Sequence, residues 1–137
     1  MFEQCIYFNS NKLVRKINRI WENAYAEVGL SPAHAYLLRA VLKQPDCRLG
    51  ELAEELSIAA STVTRFVEVL CAKGYLDKYK GKDGREYLVK PTAKALEIND
   101  RLEAIGDSLS RKMSRELGSA TLADLVANVR DADGYLY

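Results

Sequence analysis

Cysteine is scarce in this chain, and long apolar runs are absent from it. Among its 137 residues are three cysteines, Cys5, Cys47 and Cys71, an odd number in which no pair has CxxC spacing. This pattern argues against a disulfide framework and favours a reduced, cytoplasmic setting. The N-terminal segment lacks the basic and apolar regions of a secretory signal. No stretch approaches the roughly 18 consecutive apolar residues that a membrane-spanning helix requires.

Residues that carry catalysis or hold metals are also few. The only histidine, His34, has no cluster of Cys, Asp or Glu around it, so neither a metal site nor a cofactor is expected. A thiol enzyme acting through Cys5 would need an activating histidine or a resolving cysteine, and none stands nearby in the sequence. We therefore expect a protein without catalytic residues, and the thiol enzyme remains as an alternative.

The net charge of the chain is small but unevenly distributed. It is +1, with 48% hydrophobic and 28% charged residues, which is typical of one globular domain. Residues 61–94 contain eight basic and four acidic side chains, whereas residues 95–137 contain five basic and eight acidic ones. A basic block inside a near-neutral chain indicates either a surface for nucleic-acid phosphates or an ordinary solvated face.

Helical periodicity accounts for most of the chain. Apolar residues at helical spacing predict helices over residues 3–28, 32–42, 49–56, 60–73, 93–117 and 121–130. Ser31, followed by Pro32, and Thr92 are the expected N-caps of the second and fifth helices. Residues 75–80 and 86–89 have the pattern of strands, joined by a glycine-flanked turn. The predicted fold class is mainly α with a small β-hairpin: a winged helix-turn-helix whose wing is the hairpin.

The fourth helix presents a polar face that suits a DNA groove. Ser61, Thr62, Thr64 and Arg65 lie off the apolar stripe of the fourth helix, near its start. Hydroxyl groups and an arginine there can contact the phosphates and base edges of double-stranded DNA. Alternatively, Ser61 and Thr62 serve only to cap the helix.

The tip of the predicted wing is basic. Lys82, Asp83 and Arg85 lie in the turn between the two strands. An arginine at this place can enter a narrow minor groove, where the negative potential of DNA is concentrated. A solvated hairpin without a ligand is the alternative, but a basic wing that directly follows a helix-turn-helix favours DNA binding.

Taken together, these residues resemble the MarR family of winged-helix regulators, named for multiple antibiotic resistance. The resemblance is carried by Leu52 and Ala53, by the STVTR of residues 61–65, the KGYL of residues 73–76 and the DGR of residues 83–85. It implies a homodimer that binds a pseudo-palindromic operator in double-stranded DNA. It also implies, as is usual in the family, repression that a ligand or an oxidant relieves.

The resemblance assigns roles by position. Ser61, Thr62, Thr64 and Arg65 match the major-groove helix, Arg85 matches the wing-tip arginine, and Asp83 matches the acidic residue that orients it. Within a single domain over residues 1–137, residues 31–92 are the expected DNA-binding lobe. Residues 1–30 and 93–137 are the expected dimerisation helices, whose apolar surface exceeds what a compact winged helix covers. A two-fold dimer places its recognition helices about one DNA turn apart.

Two positions depart from the family pattern. Arg48 stands where a Ser or Thr cap is frequent, so the N-terminus of the third helix is expected to be less well fixed. Pro91 stands where a leucine is usual, and the second wing strand is expected to end early because proline cannot donate to the ladder. Neither position belongs to the predicted DNA-facing set.

Several residues are candidates for sensing a small aromatic or phenolic effector or an oxidant. Arg15, Trp21, Tyr25 and Tyr36 are candidates for lining an effector cleft between the lobe and the dimer helices, although such aromatics also serve as core. Cys5 lies near the start of the first helix, where the helix dipole favours a thiolate. Its placement is similar to that of the sensing cysteine in the organic-hydroperoxide branch, but Asn9 stands where that branch has a tyrosine. Cys5 packed as a small hydrophobe at a dimer interface is the alternative.

A winged-helix module that binds proteins and not DNA is the second functional class. Acidic or apolar residues on the exposed face of the fourth helix would favour it. Ser61, Thr62 and Arg65 favour DNA, while Glu68 weakens the positive charge of that face.

Overall fold

The structure is a computed structural model that describes residues 1–136 of the chain. Its elements, in chain order, are α1 (Ile6–Tyr25), α2 (Pro32–Lys43), β1 (Cys47–Arg48), α3 (Leu49–Leu56), α4 (Ala60–Ala72), β2 (Leu76–Lys80), β3 (Tyr87–Pro91), α5 (Ala93–Leu117) and α6 (Ser119–Tyr135). The chain divides into two compact units, residues 1–102 and the residues from Glu103 onward. The mainly helical fold with a small wing is as predicted.

The first helix is shorter at both ends than its periodicity predicts. At the start, the Asn9 side-chain amide donates to the main-chain oxygens of Glu3 and Cys5, at 3.0 and 2.8 Å, and holds the first residues in a turn outside the helix. At the end, residues 26–28 tighten into a 3-10 turn before Gly29, which takes a left-handed φ of 71°. Local hydrogen bonds thus override the apolar pattern at both ends.

The predicted cap of α2 is confirmed. The Ser31 hydroxyl accepts from the main-chain N–H of His34 at 3.3 Å, and Pro32 occupies the first helical position. The hydroxyl therefore satisfies one of the N–H groups that the first turn leaves without a helical partner.

The helix-turn-helix is as predicted except that α4 ends one residue earlier, at Ala72, and residues 57–59 join α3 to α4. The Ile58 N–H donates to the Ala53 carbonyl at 3.1 Å, and the Ser57 N–H donates to the Glu54 carbonyl at 3.2 Å. These two bonds form a Schellman motif, which closes a helix through a left-handed residue that is most often glycine. Here that residue is Ser57, with a φ of 54°.

Ser57→Gly is expected to raise the free energy of unfolding by about 0.5–1 kcal/mol, because glycine adopts the left-handed conformation without the steric cost of a Cβ atom. Chemical denaturation at matched protein concentration measures the change. Ser110→Gly is the control of opposite sign, since Ser110 is an exposed residue inside α5 and glycine weakens a helix interior. A loss of stability in Ser57→Gly would contradict the expected steric cost.

The wing belongs to a three-stranded antiparallel sheet of order β1-β3-β2. The short strand β1, absent from the predicted elements, pairs Cys47 with Val89 and Arg48 with Leu88. The prediction that β3 ends early at Pro91 is wrong, because Pro91 pairs with Leu76 of β2 as the last residue of the strand. At that position β3 has already passed the end of β1, so no partner there requires the N–H that proline lacks.

The sheet and the helices of residues 1–102 enclose one apolar core. Its largest fully buried side chains come from α1, α2, α4, both wing strands and α5: Tyr25, Leu37, Leu38, Leu70, Leu76, Leu102, Val41, Val63, Val67 and Val89. Three of them lie on α4, so the inner face of this helix is fixed while its outer face stays exposed. The expected cap of α5 is also confirmed, since the Thr92 hydroxyl accepts from the Ala95 N–H at 3.3 Å.

In the second unit, α6 is longer than predicted. It begins at Ser119, after Gly118 with a φ of 86°, and it runs through Gly134 to Tyr135, beyond the predicted residues 121–130. Val126 and Val129 remain exposed on it. Within residues 1–136, no helix combines the length and the apolar character needed to span a membrane.

Candidate nucleic-acid interface

The outer face of α4 carries the polar residues that the sequence predicted for a DNA groove. Ser61 and Arg65 are exposed, whereas Thr62 and Thr64 are partly buried. The Arg65 guanidinium lies 3.4 Å from the Thr62 hydroxyl and donates to it. The Thr64 hydroxyl donates to the Ala60 carbonyl at 3.1 Å, so its proton is used within the helix. Ser61 and Arg65 are therefore the two side chains of this set best placed to reach an external ligand.

The N-terminus of α4 has no side-chain cap. The N-cap residue is Ala59, whose methyl group cannot accept a hydrogen bond, and neither Ser61 nor Thr62 takes its place. The Thr62 N–H donates to the Ala59 carbonyl at 3.0 Å, which leaves the N–H groups of Ala60 and Ser61 at the positive end of the helix dipole, where anions such as phosphate are stabilised. The alternative that the two hydroxyl residues only cap the helix does not fit this geometry.

The wing tip is a tight turn held by three hydrogen bonds. The Gly84 N–H donates to the Gly81 carbonyl at 2.9 Å, and the Gly81 N–H donates to the Glu86 carbonyl at 2.9 Å. The Asp83 carboxylate accepts from the main-chain N–H of Arg85 at 3.1 Å. Asp83 therefore shapes the backbone on which Arg85 stands. Lys82, Asp83 and Arg85 are all exposed at this tip.

Lysines on the wing strands extend the basic surface beyond the tip. The Lys78 and Lys80 ammonium groups lie 4.7 and 5.7 Å from the Tyr87 ring centroid. On the opposite face, the Lys90 ammonium lies 5.4 Å from the Tyr79 ring centroid. The aromatic rings hold these cations near the sheet. These lysines belong to the basic block predicted from the sequence. Their placement over tyrosine rings was not predicted, because it depends on the register between β2 and β3.

Arg48 fixes the start of α3 by a route other than a hydroxyl cap. The Glu51 carboxylate accepts from the Arg48 Nε at 2.5 Å and from its main-chain N–H at 3.4 Å. A second contact, 3.5 Å long, joins the Arg48 guanidinium to Glu86 beside the wing. Arg48 makes no capping bond to the first turn, as expected, but the bonds from Arg48 to the Glu51 carboxylate hold this end of the helix instead.

Three of the five candidate sensing residues lie together. The Trp21 indole N–H donates to the Tyr36 hydroxyl at 3.1 Å, and the Tyr25 and Tyr36 rings pack edge to face with centroids 5.8 Å apart. Arg39, which sequence reasoning missed, donates to the Tyr25 hydroxyl at 3.1 Å and lies over the Tyr36 ring at 5.1 Å. Burial is the main cause that raises the pKa of Tyr25, which keeps its hydroxyl protonated.

The other two sensing candidates lie apart from this aromatic cluster. Cys5 precedes Trp21 by 16 residues, a separation of about 24 Å along a helix axis. Arg15 is exposed on α1, more than one turn before Trp21. Neither residue is brought to Tyr36 by the fold of α1.

An apolar cleft of about 250 Å³ opens beside Tyr36. It is lined by residues from α2, α3, the turn and α4: Pro32, Ala33, Tyr36, Leu56, Ile58 and Phe66. Because Phe66 directly follows Arg65, a molecule in this cleft would touch the helix that carries the DNA-facing candidates. The volume suits a single aromatic ring with small substituents.

The three thiols differ in exposure. Cys5 is exposed, Cys71 is partly buried and Cys47 is buried in the core. Burial raises the pKa of the Cys47 and Cys71 thiols and so favours their unreactive protonated forms. Within residues 1–136, no group of three or more His, Cys, Asp or Glu side chains is arranged to hold a metal ion.

This arrangement of α3, turn, α4 and a two-stranded wing defines a winged helix-turn-helix protein. A comparison with family models matches residues 28–86 to the MarR family. A comparison with curated protein sequences gave no match. Residues 28–86 are thus similar to the MarR family, and the chain has a winged helix-turn-helix fold.

Solved structures of the same fold extend over nearly the whole chain. A MarR protein from Peptoclostridium difficile is 25% identical, with a TM-score of 0.76 over 95% of this chain and 88% of that one. The PcaV regulator from Streptomyces coelicolor, in complex with its natural ligand, is 23% identical (TM-score 0.82; 97% and 96% covered). A mutant MarR from E. coli with operator DNA is 19% identical (TM-score 0.84; 96% and 97% covered).

Proposed function

We propose that this protein is a sequence-specific regulator of transcription, a repressor that binds double-stranded DNA as a homodimer through residues 31–92. One observation carries the proposal: the uncapped N-terminal turn of α4 exposes Ser61 and Arg65 on a helix whose opposite side is locked into the core. The basic wing beside it supports the proposal. The shared fold with a MarR that was solved on operator DNA supports it further.

Each polar residue has a proposed role. Arg65 reads a guanine edge or a phosphate in the major groove, and Ser61 and Thr62 contact phosphate beside it. Arg85 enters the minor groove while Asp83 holds its backbone, and Lys82 contacts phosphate. Thr64 has the smallest role of the set, because its hydroxyl proton is engaged by Ala60.

The proposed dimer is formed by residues 1–30 and 93–137, of which Tyr137 lies outside the described residues. Large apolar side chains are exposed on both segments, with Ile6 at 78%, Tyr7 at 77% and Val129 at 60%. Exposed apolar surface of this extent is typical of an interface between proteins. Light scattering after size exclusion tests the dimer; a monomer at micromolar concentration would contradict it.

The DNA proposal is tested first by selecting bound duplexes from a random pool. We expect an enriched inverted repeat whose half-sites lie about one helical turn apart. Affinity for the selected duplex should fall steeply with rising salt, because lysine and arginine contacts release counterions from the phosphates. No enrichment, together with no binding at low salt, would contradict the proposal and favour the protein-interaction module, with the exposed face of α4 as its docking surface.

For the effector, we propose a small aromatic or phenolic molecule bound in the cleft beside Tyr36. Its ring would contact Phe66, and the aromatic cluster of Trp21, Tyr25, Tyr36 and Arg39 would form the neighbouring wall. A ligand in this cleft binds one position of α4 more tightly than another. DNA affinity then changes by at most the ratio of the ligand's affinities for the two positions of the helix.

The effector proposal predicts a fluorescence change, since Trp21 is the only tryptophan of the chain and bonds to Tyr36. Adding 4-hydroxybenzoate is expected to change Trp21 emission saturably and to weaken DNA binding by about 5-fold or more. Cyclohexanecarboxylate, with the same charge and no aromatic ring, is the matched control. Equal responses to both compounds, or a response that persists unchanged in Ile58→Phe, which fills the cleft without adding a second tryptophan, would contradict the site.

Relief of repression by an oxidant, the second possibility, would act through Cys5, because it is the exposed thiol. Hydrogen peroxide should then weaken DNA binding in the native protein and not in Cys5→Ser. Catalytic turnover of peroxide with a thiol reductant would instead support the thiol enzyme, which we do not propose.

A further inference from the structure

The only histidine of the chain lies against the helix proposed to enter the DNA. The His34 ring, on α2, and the Phe66 ring, on α4, have centroids 4.4 Å apart with an angle of 51° between their planes. Phe66 directly follows Arg65, and it is partly buried. The imidazole is thus one of the surfaces on which α4 rests, next to the residue proposed to read the DNA.

The two ring nitrogens of His34 are in different environments. Nδ1 lies 2.5 Å from the Ser31 hydroxyl oxygen, which also accepts from the main-chain N–H of His34. Nε2 is buried and has no hydrogen-bond partner among residues 1–136. A neutral imidazole tolerates this place, because one of its nitrogens carries no proton. An imidazolium would direct a charged N–H into a buried position without an acceptor, which is costly.

The charges around His34 also oppose its protonation. On its own helix, His34 lies in the first turn of α2, at the positive end of the helix dipole. Lys73, directly after the last residue of α4, acts electrostatically on His34, and its ammonium donates to the Gly29 carbonyl at 3.5 Å. Burial first, and Lys73 second, hold the pKa of His34 below its ordinary value.

We infer that His34 is a positioning residue for α4, and that its protonation moves Phe66 from its seat and weakens DNA binding. This inference rests on the proposed function. Folding favours the neutral ring, so the stabilisation is present above the ordinary pKa and is lost as pH falls through the lowered one. DNA binding selects the conformation in which Phe66 of α4 packs against neutral His34. DNA affinity therefore has the same pH dependence as this packing. The sign is opposite to that of a histidine that contacts phosphate directly, whose protonation strengthens binding.

The first test follows the imidazole itself, since a single histidine gives one set of ring resonances in NMR. We expect the His34 resonance to titrate below the ordinary pKa, and amide resonances of α4 to shift along the same curve. Phe66→Leu, which opens the buried face of the ring, should raise the pKa. An ordinary pKa, or α4 amides that stay constant through the titration, would overturn the inference whether or not the protein binds DNA.

The second test measures affinity for the selected duplex from about pH 7.5 to about pH 5 at constant salt. We expect the native protein to lose about tenfold in affinity, because protonation of His34 in the free protein opposes binding. His34→Gln, neutral at every pH, should lose less than about twofold. An equal loss in both proteins would overturn the inference. If His34→Gln does not fold, a further lowering of the His34 pKa on adding the duplex supports the inference, and a raised pKa overturns it.

Discussion

Leu70→Ala is expected to lower the free energy of unfolding by about 2–5 kcal/mol, the range for removing a buried leucine side chain. Leu70 lies on the inner face of α4 and is fully buried, with 0% of its surface exposed. The substitution removes apolar surface from the core and leaves a cavity that its neighbours fill only in part. The cavity lies directly beneath the proposed DNA-reading face of α4, so weaker DNA binding should accompany the loss of stability.

The adjacent residue offers a matched control for Leu70. Val69 is 37% exposed, so Val69→Ala should change stability by less than about 1 kcal/mol, with better helix propensity offsetting lost contacts. Urea denaturation of both variants at equal protein concentration measures the difference, because the stability of a dimer depends on concentration. Equal losses at the two positions would mean that α4 is not held by its inner face.

The sequence predicted the helix-turn-helix well because its signals are local. The apolar spacing of α3 and α4 fixes which sides face inward, and a three-residue turn leaves little freedom in where each helix ends. The strand β1 could not be predicted, since two residues show no periodicity. Cys47 and Arg48 are extended only because they pair with Val89 and Leu88, which lie 42 and 40 residues further along the chain.

The candidate site was likewise predictable where it depends on local pattern and not where it depends on contacts between distant residues. Exposure of Ser61, Lys82 and Arg85 follows from their places on a helix face and a turn tip. The partners of the aromatic cluster do not, because Arg39 meets Tyr25 only through the packing of α2 against α1. His34 likewise looked like an ordinary helix residue, and its proximity to Phe66 depends on where α4 crosses α2. Such contacts between helices leave no signal in local patterns.

The double variant Arg65→Ala/Arg85→Ala is expected to lose about 2–6 kcal/mol of DNA-binding free energy, the sum of two independent arginine contacts of about 1–3 kcal/mol each. Each arginine stands on a separate element, α4 or the wing turn, and both are exposed. Their removal should therefore leave folding and the dimer intact. Fluorescence anisotropy with the selected duplex measures the loss, and light scattering checks the mass. A monomeric product from Arg85→Ala alone would contradict the assignment of the wing.

Arg101→Ala is the control for the charge change. Arg101 is an exposed arginine of α5 that pairs with Glu27 at 3.0 Å, outside residues 31–92. Removing it should change DNA affinity by less than about threefold, since exposed ion pairs contribute little and the residue faces no proposed groove. Binding of the single variants to operators of different DNA sequence then distinguishes the roles of the two arginines. If Arg65 reads a base, Arg65→Ala relaxes the preference at one position of the operator. If it contacts phosphate, the loss is uniform across sequences and the salt dependence of binding becomes shallower.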